Sequence, residues 1–378
     1  MKRILIVGGG TGGTILANNL ARRLRQEIDS ARASVTLLSA SARHMYQPGL
    51  LYVAFGKMAP SELYVDQETL LDPAIHFHVD PVESFDLDHN EVKAKSGKTY
   101  GYDYLAICTG SRPVLASVPG LMESAHHVYT EDAAVKTAEA LRTFEGGRIA
   151  IVTGVPHKCP MVPLELTFMM YDYFKDRDLL DKVSFTYTYP IGRIHSLENV
   201  AKWAAPEFDR MGVRYETLFN AKEVDGVQKR VHSEEGSVVE FDLLIAVPPH
   251  KGMEVIEQNK LGTAGWIPTN RATLAMEGRE NVFVLGDTTN LPISKAGSTA
   301  HYEAEVLGEN LARLATQGGA MRSYEGKVFC FIEAGKDRAT YASFDYKNPP
   351  QPRPPSRAIH WFKLAYNRLY WNSVRGLL

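Results

Sequence analysis

Five of the six residues from Gly8 to Gly13 are glycine, and they follow the apolar run Ile4-Leu5-Ile6-Val7. Gly8, Gly10 and Gly13 fall on the spacing Gly-x-Gly-x-x-Gly. Between a strand and a helix, such glycines make a tight turn. They also let backbone N–H groups approach a pyrophosphate and let the helix pack closely on the sheet. The residues around them supply that context. A buried strand is expected over 3–7, a helix from Thr14 to about Arg25, and a second strand over Val35–Ser39. This βαβ order commits the chain to an α/β fold with a parallel sheet. One position departs from the pattern: Ser39 stands where an Asp or Glu usually meets the ribose.

A second unit of the same kind begins near residue 148, and there the pattern fails. Ile149-Ala150-Ile151-Val152-Thr153 is an apolar strand, but only Gly154 of the three glycines follows it. Pro156, Pro160 and Pro163 each lack an N–H donor. A turn built this way has no cradle for NAD. Cys159 occupies the gap, ahead of a helix expected over 160–175. The unit continues with strands near 182–188 and 242–246 and helices near 131–143 and 197–211. The strand at 182–188 ends in Tyr189-Pro190, with no acid for an NAD ribose.

Hydrophobic residues make up 44% of the 378, enough for two sizeable cores. A formal charge of −2 argues against a general nucleic-acid binder. Three cysteines are too few for a secreted disulfide framework. The first residues enter a strand at once, so no secretory leader is expected. No run of 18 apolar residues occurs, so no helix is expected to cross a bilayer.

Between and after the two units lie shorter signals. The loop Tyr46-Gln47-Pro48-Gly49 follows the second strand. Strands at about 75–79, 82–87 and 90–94 read as one antiparallel meander. Tyr102–Cys108 reads as a strand ending in the turn Thr109-Gly110. Asn281–Leu285 is another, ending in Gly286-Asp287, and a helix runs from about Gly297 to Thr316. The region 347–378 holds six Lys or Arg and no Asp or Glu. A proline-rich stretch, 349–355, precedes His360-Trp361-Phe362-Lys363 and Tyr366 to Trp371. This basic, aromatic helix suits the headgroup layer of an anionic membrane surface.

Together these residues resemble the sulfide:quinone oxidoreductase family of two-dinucleotide-binding-domain flavoproteins. The resemblance covers essentially the whole chain. It rests on the first glycine fingerprint, Cys108-Thr109-Gly110, and Lys158-Cys159-Pro160 with Glu165 six residues after the cysteine. It rests also on Leu285-Gly286-Asp287, Lys295-Ala296-Gly297 and Cys330-Phe331. It implies two Rossmann-like domains with a C-terminal membrane-associating region. The FAD-binding domain would comprise 1–115 and 258–318. The second domain, with its degenerate NAD site, would comprise 116–257, and the C-terminal region 319–378.

The resemblance also implies FAD, a Cys159/Cys330 redox pair that takes sulfide sulfur, and quinone as acceptor. Gly8, Gly10, Gly13, Ser39, Val82, Thr109, Gly110, Gly286, Asp287, Lys295 and Gly297 fall at cofactor contacts. Lys295 is expected to face the flavin pyrimidine. Phe331 and Phe344 are the aromatic candidates for the quinone, and no metal is called for. Members with a third cysteine, or a cysteine bound to the flavin, carry it where this chain has Tyr129. Covalent attachment is therefore not expected. The implied setting is the cytoplasmic face of the membrane, reached through the C-terminal helix, with homo-oligomerisation left open.

Side-chain chemistry gives further expectations. At a helix start, flanked by His157 and Lys158, Cys159 should have a lowered pKa. Glu165 is a candidate acid/base or an ordinary first-turn carboxylate. Cys108, ending an apolar strand, reads as packing. His195 is more simply a surface residue than a proton relay. Three rival functions remain. A type II NADH:quinone oxidoreductase and a coenzyme A disulfide reductase both need the missing second fingerprint. The third rival is a flavin-bound redox sensor.

Overall fold

The computed structural model describes residues 1–316 and 318–377. Strand β1 (Lys2–Val7) leads into helix α1 (Thr11–Arg23), then β2 (Ala33–Ser39), helix α2 (Gly49–Ala54), β3 (His76–Val79) and β4 (Tyr104–Ile107). Helix α3 (Glu131–Thr143), β5 (Gly147–Thr153), α4 (Val162–Asp176), β6 (Val183–Tyr189), α5 (Glu198–Met211), β7 (Arg214–Thr217) and β8 (Leu243–Val247) follow. The chain then forms β9 (Val282–Val284), α6 (Gly297–Thr316), the hairpin β10 (Val328–Glu333) and β11 (Ala339–Phe344), and helices α7 (Arg357–Arg368) and α8 (Tyr370–Val374).

Two parallel sheets result. The first runs β9-β4-β1-β2-β3 and the second β7-β6-β5-β8. Each half also carries a three-stranded antiparallel sheet, 82–101 in the first and 221–240 in the second. An antiparallel ribbon, Ser111–Pro113 against His250–Gly252, ties the halves together. Residues 76–79 were expected in the meander, but β3 pairs parallel with β2, Thr36 opposite His76. The alternating polar residues of His76-Phe77-His78-Val79 reflect an edge strand of the parallel sheet, exposed at both ends.

The glycines of the first turn are used for contact. Gly8 has φ 117°, and a Cβ there would lie 2.3 Å from the Cys108 carbonyl oxygen. Helix α1 starts at Thr11, three residues earlier than expected, so Gly13 lies inside it. A Cβ on Gly13 would sit 1.9 Å from the Gly8 oxygen. α1 then buries one face against α6 and the sheet through Ile15, Leu16 and Leu20. Helix ends follow ordinary chemistry. Thr130 Oγ1 accepts the Ala133 N–H at 3.3 Å to start α3, and Gly212, at φ 69°, ends α5.

The last fifty residues do not form a separate appendage. β10 and β11 pack on α4 in the core of the second sheet, through Val328, Ile332, Ala342 and Phe344. α8 packs on the first sheet's core, where Val374 is fully buried. Tyr370 Oη is hydrogen-bonded to Thr11 Oγ1 and to His44 Nε2, both at 2.8 Å. Asn18 Nδ2 donates to the Val374 carbonyl at 2.9 Å. No helix among the described residues is long and apolar enough to cross a membrane.

Gly13→Ala tests the close approach that carries the first turn. Helix propensity alone would favour alanine by about 0.5–1 kcal/mol. The clash with Gly8 outweighs it, and a net loss of about 1–3 kcal/mol is expected. The denaturant midpoint of the purified protein reads this, and an unchanged or raised midpoint would contradict it.

Candidate active site: two thiols beside a buried ion cluster

Most residues expected at the cofactor lie at the carboxyl ends of the first sheet. Beyond Gly10, Gly110 and Gly297 the space is open, with nothing within 4 Å of a built Cβ. Gly110, at φ 76°, donates its N–H to Thr288 Oγ1 at 2.7 Å, and Thr109 Oγ1 lies 3.2 Å from the same hydroxyl. Ser111 Oγ donates to Asp287 Oδ2 at 3.1 Å. Glu303, wholly buried on α6, accepts the Gly286 N–H at 2.5 Å and holds this turn. Open glycines, a carboxylate at a strand end and a helix start fit a dinucleotide cofactor in the first half. Ser39 is buried against Gly9, and Val82 is half-buried at the start of the antiparallel sheet.

Lys295 is tied to its own loop. Its ammonium donates to the backbone carbonyls of Asp287 (3.1 Å) and Thr289 (2.6 Å) and lies 4.2 Å from the Trp266 ring centroid. Its own carbonyl accepts the Cys159 N–H at 2.7 Å, so this loop anchors the thiol of the other half.

The second turn is closed. A Cβ on Gly154 would meet Pro249 at 2.5 Å, the counterpart of the Gly8 approach to Cys108, and Val155, Pro156 and Cys159 then stand where the first turn has Gly9, Gly10 and Gly13. The cavity at this strand end, lined by Gly154, Val155, Asn220 and Pro249, holds only ≈ 110 Å³. Ligand pockets usually have about 300–1,000 Å³.

Cys159 lies ahead of α4, which begins only at Val162 and carries Pro163 in its first turn. Pro160 is therefore not in that turn, as it was expected to be. Cys159 takes a left-handed φ of 53°, uncommon for a residue with a side chain. It is held by its N–H bond to Lys295 and by its carbonyl, which accepts the Val162 N–H at 3.1 Å. The lowered pKa expected for this thiol is not found. Burial pushes it up, and the charge of Glu165 adds to the rise. Burial also pushes the Cys330 thiol up, to about 12. The flanking cations do not help as expected. The Lys158 ammonium is spent on Gln47 Oε1 at 2.7 Å, and burial lowers the His157 pKa to about 4.

All three cysteines are free thiols, and Cys108 is core packing under Gly8. Cys159 and Cys330 border the same core, and each feels the charges of Glu165 and Lys363. Tyr129, in the position of the missing cysteine, is buried near Cys159 and donates its hydroxyl to the Lys158 carbonyl at 3.2 Å. His195 is fully buried, contrary to expectation. Its Nε2 lies 2.9 Å from the Pro160 carbonyl, its Nδ1 accepts the Leu197 N–H, and burial lowers its pKa to about 4. It braces the cysteine loop.

Glu165 is buried and paired with Lys363, whose Nζ lies 2.8 Å from its Oε1. Glu333, Tyr52 and His360 complete this cluster. Of this cluster the sequence singles out only Glu165 for the site; Lys363 reads as a charge of the membrane-facing helix. The signal was present: Glu333 follows Cys330 by three residues, as Glu165 follows Cys159 by six. Phe331 stands beside Cys330 with ring centroids 5.5 Å from Tyr366 and 5.8 Å from Phe362. Phe344 is different. Its side chain is in the core, away from this aromatic group, so it does not join Phe331.

One side of the tail is docked on the protein. Lys363 points inward, and Tyr370 and Trp371 pack on the first core. The exposed apolar side of the tail is reduced to Trp361, Phe362, Tyr366, Leu369 and Leu377.

Comparison with known proteins agrees with this architecture. Residues 2–305 match the family described as pyridine nucleotide-disulphide oxidoreductase. A mitochondrial sulfide:quinone oxidoreductase of Dictyostelium discoideum is 27% identical over 360 residues, covering 92% of this chain and 78% of that protein. The crystal structure of sulfide:quinone oxidoreductase from Aquifex aeolicus superposes with a TM-score of 0.87 at 21% identity, covering 100% of this chain and 92% of that one. The NDH2 of Plasmodium falciparum in complex with NADH superposes less closely, with a TM-score of 0.74 at 14% identity over 99% of this chain and 97% of that one. The family match spans both parallel sheets and the turn that holds Asp287, and on that extent the chain belongs to the pyridine nucleotide-disulphide oxidoreductase family.

Proposed function

We propose that the protein is a sulfide:quinone oxidoreductase that binds FAD non-covalently. The observation that carries this reading is the exchange made in the second half. A nucleotide turn that keeps only Gly154 of the three glycines, beside a cavity of only ≈ 110 Å³, stands next to two thiols set in one buried ionic environment. Relatives named as sulfide:quinone or sulfide-quinone enzymes match at 23–27% identity over 92–99% of this chain, which supports the same reading. The NADH:quinone reading needs a second glycine fingerprint that this chain lacks.

FAD is assigned to the first half, 1–115 and 258–318, with Gly8, Gly10 and Gly13 at the pyrophosphate and Asp287 at the ribityl end. When bound, the flavin supplies the two-electron acceptor. The protein's own chemistry is thiol–disulfide exchange. Hydrosulfide attacks a Cys159–Cys330 disulfide. One sulfur–sulfur bond breaks and another forms, so one cysteine becomes a persulfide and the other leaves as thiolate with the bonding pair. The burial that raises both thiol pKa values makes that thiolate costly unless a cation stands beside it. Phe331, Phe362 and Tyr366 offer an aromatic wall for the quinone ring next to Cys330.

Access to quinone is assigned to α7. Trp361, Phe362, Tyr366 and Leu369 are exposed on it, while Lys363 and His360 face inward. A short helix with this division lies in the membrane interface, here the cytoplasmic face.

Two outcomes are expected. Cys159→Ser and Cys330→Ser each abolish sulfide-driven quinone reduction, whereas Cys108→Ser retains it, because a serine hydroxyl carries no persulfide sulfur. Turnover retained in either of the first two would remove the pair from the mechanism. Replacing Trp361, Phe362 and Leu369 together by serine should release the protein from anionic liposomes and slow reduction of long-chain quinone. Deleting the tail is a poorer test, since it also removes Lys363 and Val374 from their buried positions. Co-sedimentation equal to that of the unaltered protein would show that this helix face does not bind membrane.

A further inference from the structure

Three elements meet at the two thiols, and each brings one charged group. Helix α4, which follows Cys159, brings Glu165. Strand β10, which contains Cys330, brings Glu333. Helix α7 brings Lys363, from more than thirty positions beyond Cys330. The Lys363 ammonium lies 2.8 Å from Glu165 Oε1 and 3.4 Å from Glu333 Oε1. Glu165 Oε1 also accepts the Glu333 backbone N–H at 2.9 Å. Tyr52 Oη, from α2, donates to Glu333 Oε1 at 2.8 Å, and His360 Nδ1 lies 3.0 Å from Glu333 Oε2. Lys363 is 7% exposed, Glu165 4% and Glu333 1%, so water does little to screen these charges.

We propose that Lys363 is a positioning residue of the thiol site. It clamps the Cys159 and Cys330 elements together, and its charge offsets that of Glu165 so that a thiolate can form there. The clamp follows from the contacts, since the same Glu165 oxygen binds both the Lys363 ammonium and the Glu333 backbone of β10. The electrostatic part follows from the charges. Glu165 opposes ionisation of both Cys159 and Cys330, and Lys363 favours it at both. The other titratable groups facing Lys363 are Tyr46 and Tyr52 on the α2 side, Glu333 on β10 and His360 on its own helix. Burial holds both tyrosines neutral. Lys57, further out, meets the same carboxylate Glu333 but neither thiol. Lys363 is thus the cation that acts on both cysteines.

The proposal deepens the redox reading of the pair, but its test does not depend on sulfide turnover. The FAD-loaded protein is reduced without oxygen, and alkylation of Cys159 and Cys330 by iodoacetamide is followed across pH by peptide mass spectrometry. The readout is the midpoint of each pH profile. Lys363→Met should raise both midpoints by about one pH unit or more, a tenfold loss of thiolate at a given pH. Glu165→Gln should lower both. The double variant should return towards the unaltered profile, and Lys363→Arg should keep it. A purely structural role would change accessibility, and with it rates, without moving midpoints in opposite directions. If Lys363→Met does not fold, Glu165→Gln and the double variant decide. Midpoints that stay fixed, or that move the same way in the two single variants, overturn the proposal. A redox pair that fails to turn over sulfide while the midpoints move as expected would instead overturn the function proposed above.

Discussion

The buried contact of Lys363 with Glu165 and Glu333 is the point at which the molecule's parts depend on one another. It joins the helix after one cysteine, the strand of the other and the tail. Removing one partner of such a buried pair typically costs about 3–5 kcal/mol, because the remaining charge stays out of water. That exceeds the contribution of any single ordinary hydrogen bond, about 1 kcal/mol. The tail therefore cannot be loose. Its outer aromatic side is available to a surface only because its inner side is fixed by charge and by the hydrogen bonds of Tyr370.

The two halves of the chain start from the same βα plan and part at the turn. In the first, glycine removes side chains so that backbone can come close, and open space remains beyond Gly10. In the second, Val155, Pro156 and Cys159 stand where the first turn has Gly9, Gly10 and Gly13. The vacated role passes to a loop whose Cys159 is held in a left-handed conformation by Lys295, a residue of the first half. The backbone strain is of the kind that persists only where surroundings over-determine it. A helix terminus does not lower the pKa of this thiol; in the proposed account its ionisation is set by the balance of one carboxylate and one ammonium in a medium of low polarity.

The parallel sheets, the order of helices and the broken second fingerprint were legible in the residues, because apolar runs and glycine or proline positions are local signals. The edge strand at His76–Val79 was not, since its alternating polarity is shared by antiparallel strands. The helix start at Thr11 was missed because glycines at 12 and 13 argue against helix until packing demands them. In the site, Cys159, Cys330 and Glu165 could be named, but their environment could not. A basic, aromatic segment reads as a membrane helix whichever way its lysine points. Only the fold shows Lys363 turned inward onto carboxylates 198 and 30 positions earlier in the chain. The thiol pKa was misjudged for the same reason, since sequence shows neighbouring charges and not burial.

The central claim is that the reductant reaches this protein through thiols and not through a second dinucleotide. Anaerobic stopped-flow reduction of the FAD-loaded protein, with sulfide in one syringe and NADH in another, tests it most directly. Sulfide should bleach the flavin within turnover time, added quinone should restore its absorbance, and NADH at micromolar concentration should leave it oxidised. Rapid bleaching by NADH with none by sulfide would contradict the account.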